Sequence, residues 1–119
     1  MMNINQFDQL YRERITATGV TGSDVTMETE RVAAKRIRVI THLSVENKTS
    51  AYSKCRLEIY NGAIDFNIDE AIFPSQNELL VHPKDILLGE GDRLRVKLAG
   101  TQTDDELELH AIGWEMPRE

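Results

Sequence analysis

Two alternating segments near the end of the chain decide the fold: Asp92-Arg93-Leu94-Arg95-Val96-Lys97-Leu98 and Glu106-Leu107-Glu108-Leu109-His110-Ala111. In the first, apolar residues occupy even positions and the three cations odd ones, whereas in the second apolar residues are odd and acids even. Alternation with a period of two is typical of a β-strand that buries one face. We therefore predict two antiparallel strands, joined as a hairpin through residues 99–105.

The alternation also predicts how these two strands pair. If both apolar sets share a face, the numbers of paired residues must have an odd sum. A sum near 205 gives the pairs Leu98–Leu107, Val96–Leu109, Lys97–Glu108 and Arg95–His110. Exposed cross-strand charge pairs contribute roughly a few tenths of a kcal/mol each and mainly specify register. We therefore interpret the charged rows as structural and not as a catalytic acid–base cluster.

The rest of the chain repeats this pattern in short segments separated by turn residues. Alternation covers residues 36–45, 52–60, 63–68 and 78–82, and Asn61-Gly62 is a strong hairpin-turn signal. In the first of these segments the inward face is predicted to hold Ile37, Val39, Leu43 and Val45. Seven or eight short strands without alternating helices predict an all-β fold, an antiparallel β-sandwich.

Length and composition limit the classes of function. The 119 residues fit one domain, and 40% hydrophobic with 29% charged residues is ordinary for a folded protein. A net charge of −6 disfavours nucleic-acid binding, which depends on neutralising phosphates. There is no apolar run long enough for a membrane span and no signal-peptide pattern at the start. We expect no nucleic-acid or membrane partner, and a cytoplasmic protein or one carried within a larger particle.

The residues that usually carry catalysis or bind metals are not grouped in the sequence. The three histidines, His42, His82 and His110, are far apart, and the acidic runs lack the spacing of a calcium loop. There is no nucleophile elbow, phosphate loop or dinucleotide motif. The single cysteine, Cys55, shares the apolar side of its strand, which indicates a buried structural thiol. We expect no catalytic residues, no metal and no cofactor.

The N-terminal segment has a different period. Apolar residues fall at helical spacing at Ile4, Phe7, Leu10, Tyr11 and Ile15. We predict that residues 1–22 form a short amphipathic helix or an extended arm, ahead of a sandwich domain at residues 23–119. These side chains are costly to leave in water, so we expect them to dock on a neighbouring subunit. The alternative is a helix folded back over its own sandwich.

Two further features are candidates for partner binding. Arg36 and Arg38 belong to a basic cluster that could face an acidic partner, although both could instead lie on an outer strand face and pair with Glu58. Trp114 lies on the face opposite Leu109, where it could cover an interface or serve as a sugar-stacking platform. A carbohydrate-binding module, with a glycan stacked on Trp114 or Tyr60, is therefore the alternative function.

Three segments together, 37–50, 88–96 and 103–114, resemble the small jelly-roll-like proteins of tailed-phage virions. These include capsid decoration (cement) proteins and minor head or tail components. The resemblance implies a non-catalytic protein that forms a homo-oligomer, with a trimer as one option, and binds a capsid or tail protein. It also implies a location in the virion after synthesis in the host cytoplasm. It assigns no functional residues, because the family has no fixed motif.

Deletion of residues 1–18 distinguishes the two roles of the N-terminal segment. If the segment is an arm, the shortened protein should lose its oligomeric state, measured by size-exclusion chromatography with light scattering. If assembly persists and only the melting temperature falls, the segment packs on its own sandwich and the arm hypothesis is wrong.

Overall fold

The computed structural model describes residues 9–118, which form nine β-strands and no helix. The strands are β1 (Gln9–Thr18), β2 (Val25–Glu28), β3 (Arg36–Asn47), β4 (Lys54–Tyr60), β5 (Asp65–Ile72), β6 (Leu80–Val81), β7 (Ile86–Leu88), β8 (Arg93–Ala99) and β9 (Glu106–Pro117). All paired strands are antiparallel. The prediction of an all-β antiparallel sandwich is confirmed, with one or two more strands than expected.

The strands form two sheets that pack face to face. In the larger sheet the order is β1-β9-β3, and β6 and β7 both pair with the far side of β3. In the smaller sheet the order is β2-β8-β4-β5. The core between them includes the fully buried side chains of Met27, Ile40, Leu88, Leu94, Val96, Leu98, Leu107 and Leu109. The Asn61-Gly62 turn joins β4 to β5 as predicted, with Gly62 at a φ of +100°.

The predicted pairing of the last two strands is wrong, because β8 and β9 belong to different sheets. Both apolar faces do point into the core, where they meet across the sandwich rather than side by side. The charged rows therefore have other partners. Lys97 Nζ lies 3.5 Å from a carboxylate oxygen of Glu58 on β4, and Arg95 contacts Glu28 and Asp65.

A β-bulge in β3 overturns the predicted orientation of Arg36 and Arg38. The pairing of β3 with β9 shifts between Ile40 and His42, so the inward positions change from even to odd numbers at this point. Arg38 is consequently buried between the sheets, 3% exposed, and Val39 points outward. The prediction that Arg36 and Arg38 lie on an outer face and pair with Glu58 is wrong.

The prediction of a helix is wrong for residues 9–18, which form the edge strand β1. β1 pairs with β9 along its whole length, and Tyr11 and Ile15 pack inward against the core. Ile4 and Phe7 lie outside the described residues. The division of the chain at residue 22 and the docking of residues 1–22 on another subunit stay predictions.

The loops at one end of the sandwich are held by a buried hydrogen-bond network around Asp105, which is 2% exposed. One carboxylate oxygen accepts hydrogen bonds from Asn47 Nδ2 at 2.9 Å, Ser50 Oγ at 2.7 Å and the backbone N–H of Gln102 at 2.8 Å. Burial opposes ionisation of Asp105, but these donors outweigh it and lower the pKa of the carboxyl group. The Gly19 amide also donates to the Asp105 carbonyl, at 2.8 Å.

Replacing Asp105 with Asn should therefore destabilise the fold. The amide is neutral and cannot accept all three bonds at full strength, so we expect a loss of about 2 kcal/mol in the free energy of unfolding, measured by urea denaturation. D104N is the matched control, since Asp104 is exposed with a positive φ that Asn tolerates. Equal stabilities of D105N and D104N would contradict the role assigned to the network.

Candidate interaction surface

The outer face of the larger sheet carries an apolar row that crosses four strands. Register pairs Leu10 of β1 with Trp114 of β9, Trp114 with Val39 of β3, and Val39 with Leu87 of β7. Paired residues of antiparallel strands lie on the same face, so the four side chains form one line, which we name the apolar row. Leu10, Trp114 and Leu87 are 53%, 42% and 66% exposed, and Val39 is half-buried.

Two local features place Val39 and Trp114 next to each other. The bulge of β3 turns Val39 outward. Gly113 permits the close approach of β9, since a Cβ at this position would collide with the backbone carbonyl of Val39 and the Cα of Ile40. Gly113 is therefore required by packing rather than by its backbone angles.

On the same outer face, the rows of paired residues become more polar with distance from the apolar row, from Trp114 toward Glu108 along β9. Arg12 of β1 pairs with half-buried Ile112 of β9, which pairs in turn with His42 of β3, and Arg14 pairs with His110. The next row is acidic and contains Glu108. Arg14 and Lys48 both form ion pairs with Glu108, and His110 Nε2 lies 3.2 Å from it. Hydrogen bonds from Lys48 and then Arg14 lower the pKa of Glu108 to about 2.

Arg38 lies on the inner side of the same sheet and makes only internal contacts among those described. Its guanidinium stacks over the ring of Tyr11 at 4.0 Å, contacts Glu115 at 3.0 Å and donates to the Glu30 carbonyl at 2.6 Å. Arg36 is partly buried and donates to the side chain of Gln9 at 3.3 Å. The structure thus separates the residues that the sequence had grouped: Leu10 and Trp114 share the outer face, while Tyr11, Ile15 and Arg38 belong to the interior.

Sequence reasoning missed Val39 and Leu87 as surface residues. Unbroken alternation through residues 36–45 predicts Val39 in the core, and the bulge of β3 turns it outward instead. Leu87 lies in the run Ile86-Leu87-Leu88, where the outer residue has the same chemistry as its two buried neighbours. The sequence did contain a signal for Leu87. In a three-residue strand whose first and last side chains are buried, the central side chain points to the opposite face and is exposed to solvent.

A second feature is an apolar cavity between the sheets, at the edge formed by β5 and β6. Its volume is about 170 Å³, and it is lined by Leu43, Val45, Cys55, Leu57, Asp69, Glu70, Ala71, Leu80, Val81 and His82. At its mouth His82 Nδ1 lies 3.1 Å from Asp69 Oδ2, which links the edges of the two sheets.

The lining includes a cysteine, a histidine and an aspartate, the residue types that form a thiol nucleophile with its activating base. Burial raises the pKa of the Cys55 thiol to about 11. A thiol in this state is protonated at neutral pH and is a poor nucleophile. Cys55 is buried, as the sequence predicted.

The two aromatic residues considered for sugar stacking differ in accessibility, since Trp114 is exposed and Tyr60 is covered. The Tyr60 ring is covered by the guanidinium of Arg95, whose carbon lies 3.7 Å from the ring centroid. Residues 9–118 contain no group of three potential metal ligands. The part of the chain that the structure describes also has no helix with the length and hydrophobicity needed to span a bilayer.

The sequence matches no protein-family model and no curated protein. The fold, in contrast, matches a chain in the atomic structure of Sulfolobus turreted icosahedral virus, with a TM-score of 0.68 and 16% identity over 95% of the present chain. The present chain covers 31% of that viral chain. The resemblance to virion β-sandwich proteins is confirmed at the level of the fold.

Two weaker matches have TM-scores too low to establish a shared fold. One is a structure of infectious bursal disease virus, strain Gt, with a TM-score of 0.43 and 13% identity, covering 90% of this chain and 32% of that one. The other is the Drosophila NLP core, with a TM-score of 0.46 and 13% identity, covering 93% of this chain and all of that one.

The polar end of the outer face predicts a specific pH dependence. The pKa of Glu108 falls from 4.5 to about 2 on folding, so its ionisation stabilises the fold above pH 4.5, and this contribution is lost as the pH falls toward 2. Because Arg14 is largely exposed, solvent screening should limit the effect to about 1 kcal/mol. E108Q should lack this component in acid urea titrations, whereas E106Q, at an exposed neighbour, should retain it.

Proposed function

We propose that this chain is a non-catalytic structural protein of a virus particle, a capsid decoration (cement) or adaptor protein, which assembles through the apolar row. The observation that carries the proposal is the row itself, four adjacent apolar side chains on the outside of a sandwich. The fold shared with a chain of an icosahedral virus supports the virion setting.

Exposing a contiguous row of apolar side chains to water is unfavourable in free energy. Isolated apolar residues are common on protein surfaces, but a contiguous line that includes Trp is typical of a contact surface. Burying Leu87 and Trp114 against a partner would yield roughly 25 cal/mol for each Å² of apolar area removed from water. Aromatic anchors of this kind often carry a large share of the binding energy.

The arrangement also favours one partner chemistry. Arg12 is the outward residue next to Leu10 on β1, so a partner with an apolar centre and an acidic residue beside it would fit this face. This chain has a net charge of −6, and a second copy or a capsid or tail protein can supply such acids. A homo-oligomer, with a trimer as the first stoichiometry to test, remains the expected assembly.

The proposal keeps a role for Ile4 and Phe7. They precede β1 directly in sequence, and β1 begins one residue before Leu10 of the apolar row. We propose that they extend the same contact onto a neighbouring subunit. Deletion of residues 1–8 tests this more cleanly than deletion of 1–18, because it leaves β1 in place.

Three observations support assembly over catalysis or glycan binding. The Cys55 thiol is protonated at neutral pH, the Tyr60 ring is covered by Arg95, and Trp114 is continuous with aliphatic residues rather than with a polar groove. Sugar sites need polar groups around the stacked ring to bind hydroxyl groups. The glycan alternative is therefore kept as an outcome of the experiment.

The test measures assembly of matched surface variants. L87S and W114A should weaken self-association, or binding to particles lacking the protein, by at least tenfold in sedimentation velocity and co-pelleting assays. I72S is the control, because Ile72 is 64% exposed but lies on the smaller sheet. Melting temperatures should show that all three variants are folded.

Two results would overturn the proposal. The first is assembly that is unchanged in L87S and W114A but lost in I72S, which would move the contact to the other sheet. The second is a monomer at all concentrations that binds no particle and is retained on a glycan array through Trp114. That outcome would favour the carbohydrate-binding module.

A further inference from the structure

The inter-sheet cavity at the β5–β6 edge has a shape and chemistry that neither the fold nor assembly through the apolar row requires. It opens on the side of the sandwich away from β1, between the edge strands of the two sheets. Its volume of about 170 Å³ is close to the roughly 150 Å³ of apolar cavities that take up benzene-sized molecules. The part of a ligand that enters the cavity, which we call its body, must be compact and apolar.

The polar side chains at the mouth limit which polar group, or head, a ligand can place there. His82 is 11% exposed in its side chain, and its Nδ1 lies 3.1 Å from Asp69 Oδ2. An ionised carboxylate only accepts hydrogen bonds, so Nδ1 must carry the proton, and Nε2 of a neutral His82 is then an acceptor. The His82 Nδ1 proton is used within this pair, and Asp69 Oδ1 accepts the backbone N–H of Glu70 at 2.8 Å. The two side chains therefore offer a ligand lone pairs that accept hydrogen bonds and no free donor.

The charges at the mouth of the cavity also favour a ligand whose polar group donates hydrogen bonds. Asp69 and Glu70 both line the cavity, and the Glu70 carboxylate is paired with Arg56 at 3.0 Å. Asp69 is half exposed, and its partner is a histidine that carries no charge unless protonated. A negative head group would meet Asp69 without a cation to offset it, whereas a positive or neutral donor would be attracted.

We propose that this cavity is a binding site for a small molecule with a compact apolar body and a single hydrogen-bond-donating head, an ammonium or a hydroxyl group. The walls from β3, β4 and β6 hold the body by apolar contact, and Asp69 and His82 orient the head at the mouth. The proposal is independent of the virion role, since it uses no residue of the apolar row.

The experiment compares three probes of nearly equal shape: benzylamine, benzyl alcohol and benzoate. Each is titrated into the full chain labelled with ¹⁵N, and amide shifts are followed by NMR. Benzylamine and benzyl alcohol should shift the amides of Cys55, Leu57 and Ala71 with a Kd on the order of 1 mM, as expected for so few atoms. Benzoate should bind at least tenfold more weakly.

Two variants assign the body and the head separately. A71L fills the cavity and should abolish binding of both probes, while A51L adds the same side chain at an exposed position outside the cavity and should bind as the wild type does. D69N should weaken benzylamine about tenfold and leave benzyl alcohol nearly unchanged. D69N also keeps the test decisive if A71L does not fold.

Other outcomes overturn the proposal. Equal binding of benzoate and benzylamine would show that the mouth does not select the head, and shifts that persist in A71L would place the probe elsewhere. If the same amides shift when the protein concentration is raised without any probe, a second copy fills the cavity. A small-molecule site would then be excluded.

Discussion

The chain changes sheet between Ala99 and Glu106, and the rest of the sandwich depends on how those intervening residues are held. Asp105 lies at the end of this crossing, where its side chain accepts hydrogen bonds from β3, from the β3–β4 loop and from the crossing itself. Gly19 packs against the crossing so closely that a Cβ would collide with the carbonyl of Gln102. The network thus ties three loops together and determines that β8 and β9 face each other across the core.

The crossing explains why alternation predicted the right faces and the wrong partners. Period-two patterning identifies which side of a strand is buried, but it contains no information on whether two strands share a sheet or oppose each other across a sandwich. In both arrangements Leu98 and Leu107 are inward and the charged rows are outward. The six residues between the strands fit a long hairpin loop as well as a crossing. The two are distinguished by contacts with segments far away in sequence, including the pairing of β9 with β3 and the bonds of Asp105 to Asn47 and Ser50.

Other errors of sequence reasoning have equally local causes. The interior of β1 contains Glu13, which accepts bonds from the Tyr11 hydroxyl at 2.5 Å and from the Glu30 amide at 2.9 Å. A charged residue at an inward position hides the strand period and leaves the helical spacing of the apolar residues more visible. The bulge of β3 has a similar effect, because one inserted residue exchanges the two faces. The fold class and most strands were therefore predictable, whereas half of the candidate surface was not.

The two outer faces of the sandwich differ in a way that bears on where a partner binds. On the smaller sheet many charges pair with one another, with Arg93 and Arg95 contacting Glu28, Lys97 contacting Glu58, and Arg56 contacting Glu70. The edge strand β5 of this sheet also exposes Phe66 and Ile72. The charge-paired part of the face gains little from being covered, because each pair would have to be desolvated together. The larger sheet has its charges at one end and its apolar row at the other. Covering that apolar end removes hydrocarbon from water without breaking an ion pair described here, which favours contact there over contact at the charge-paired strands of the smaller sheet.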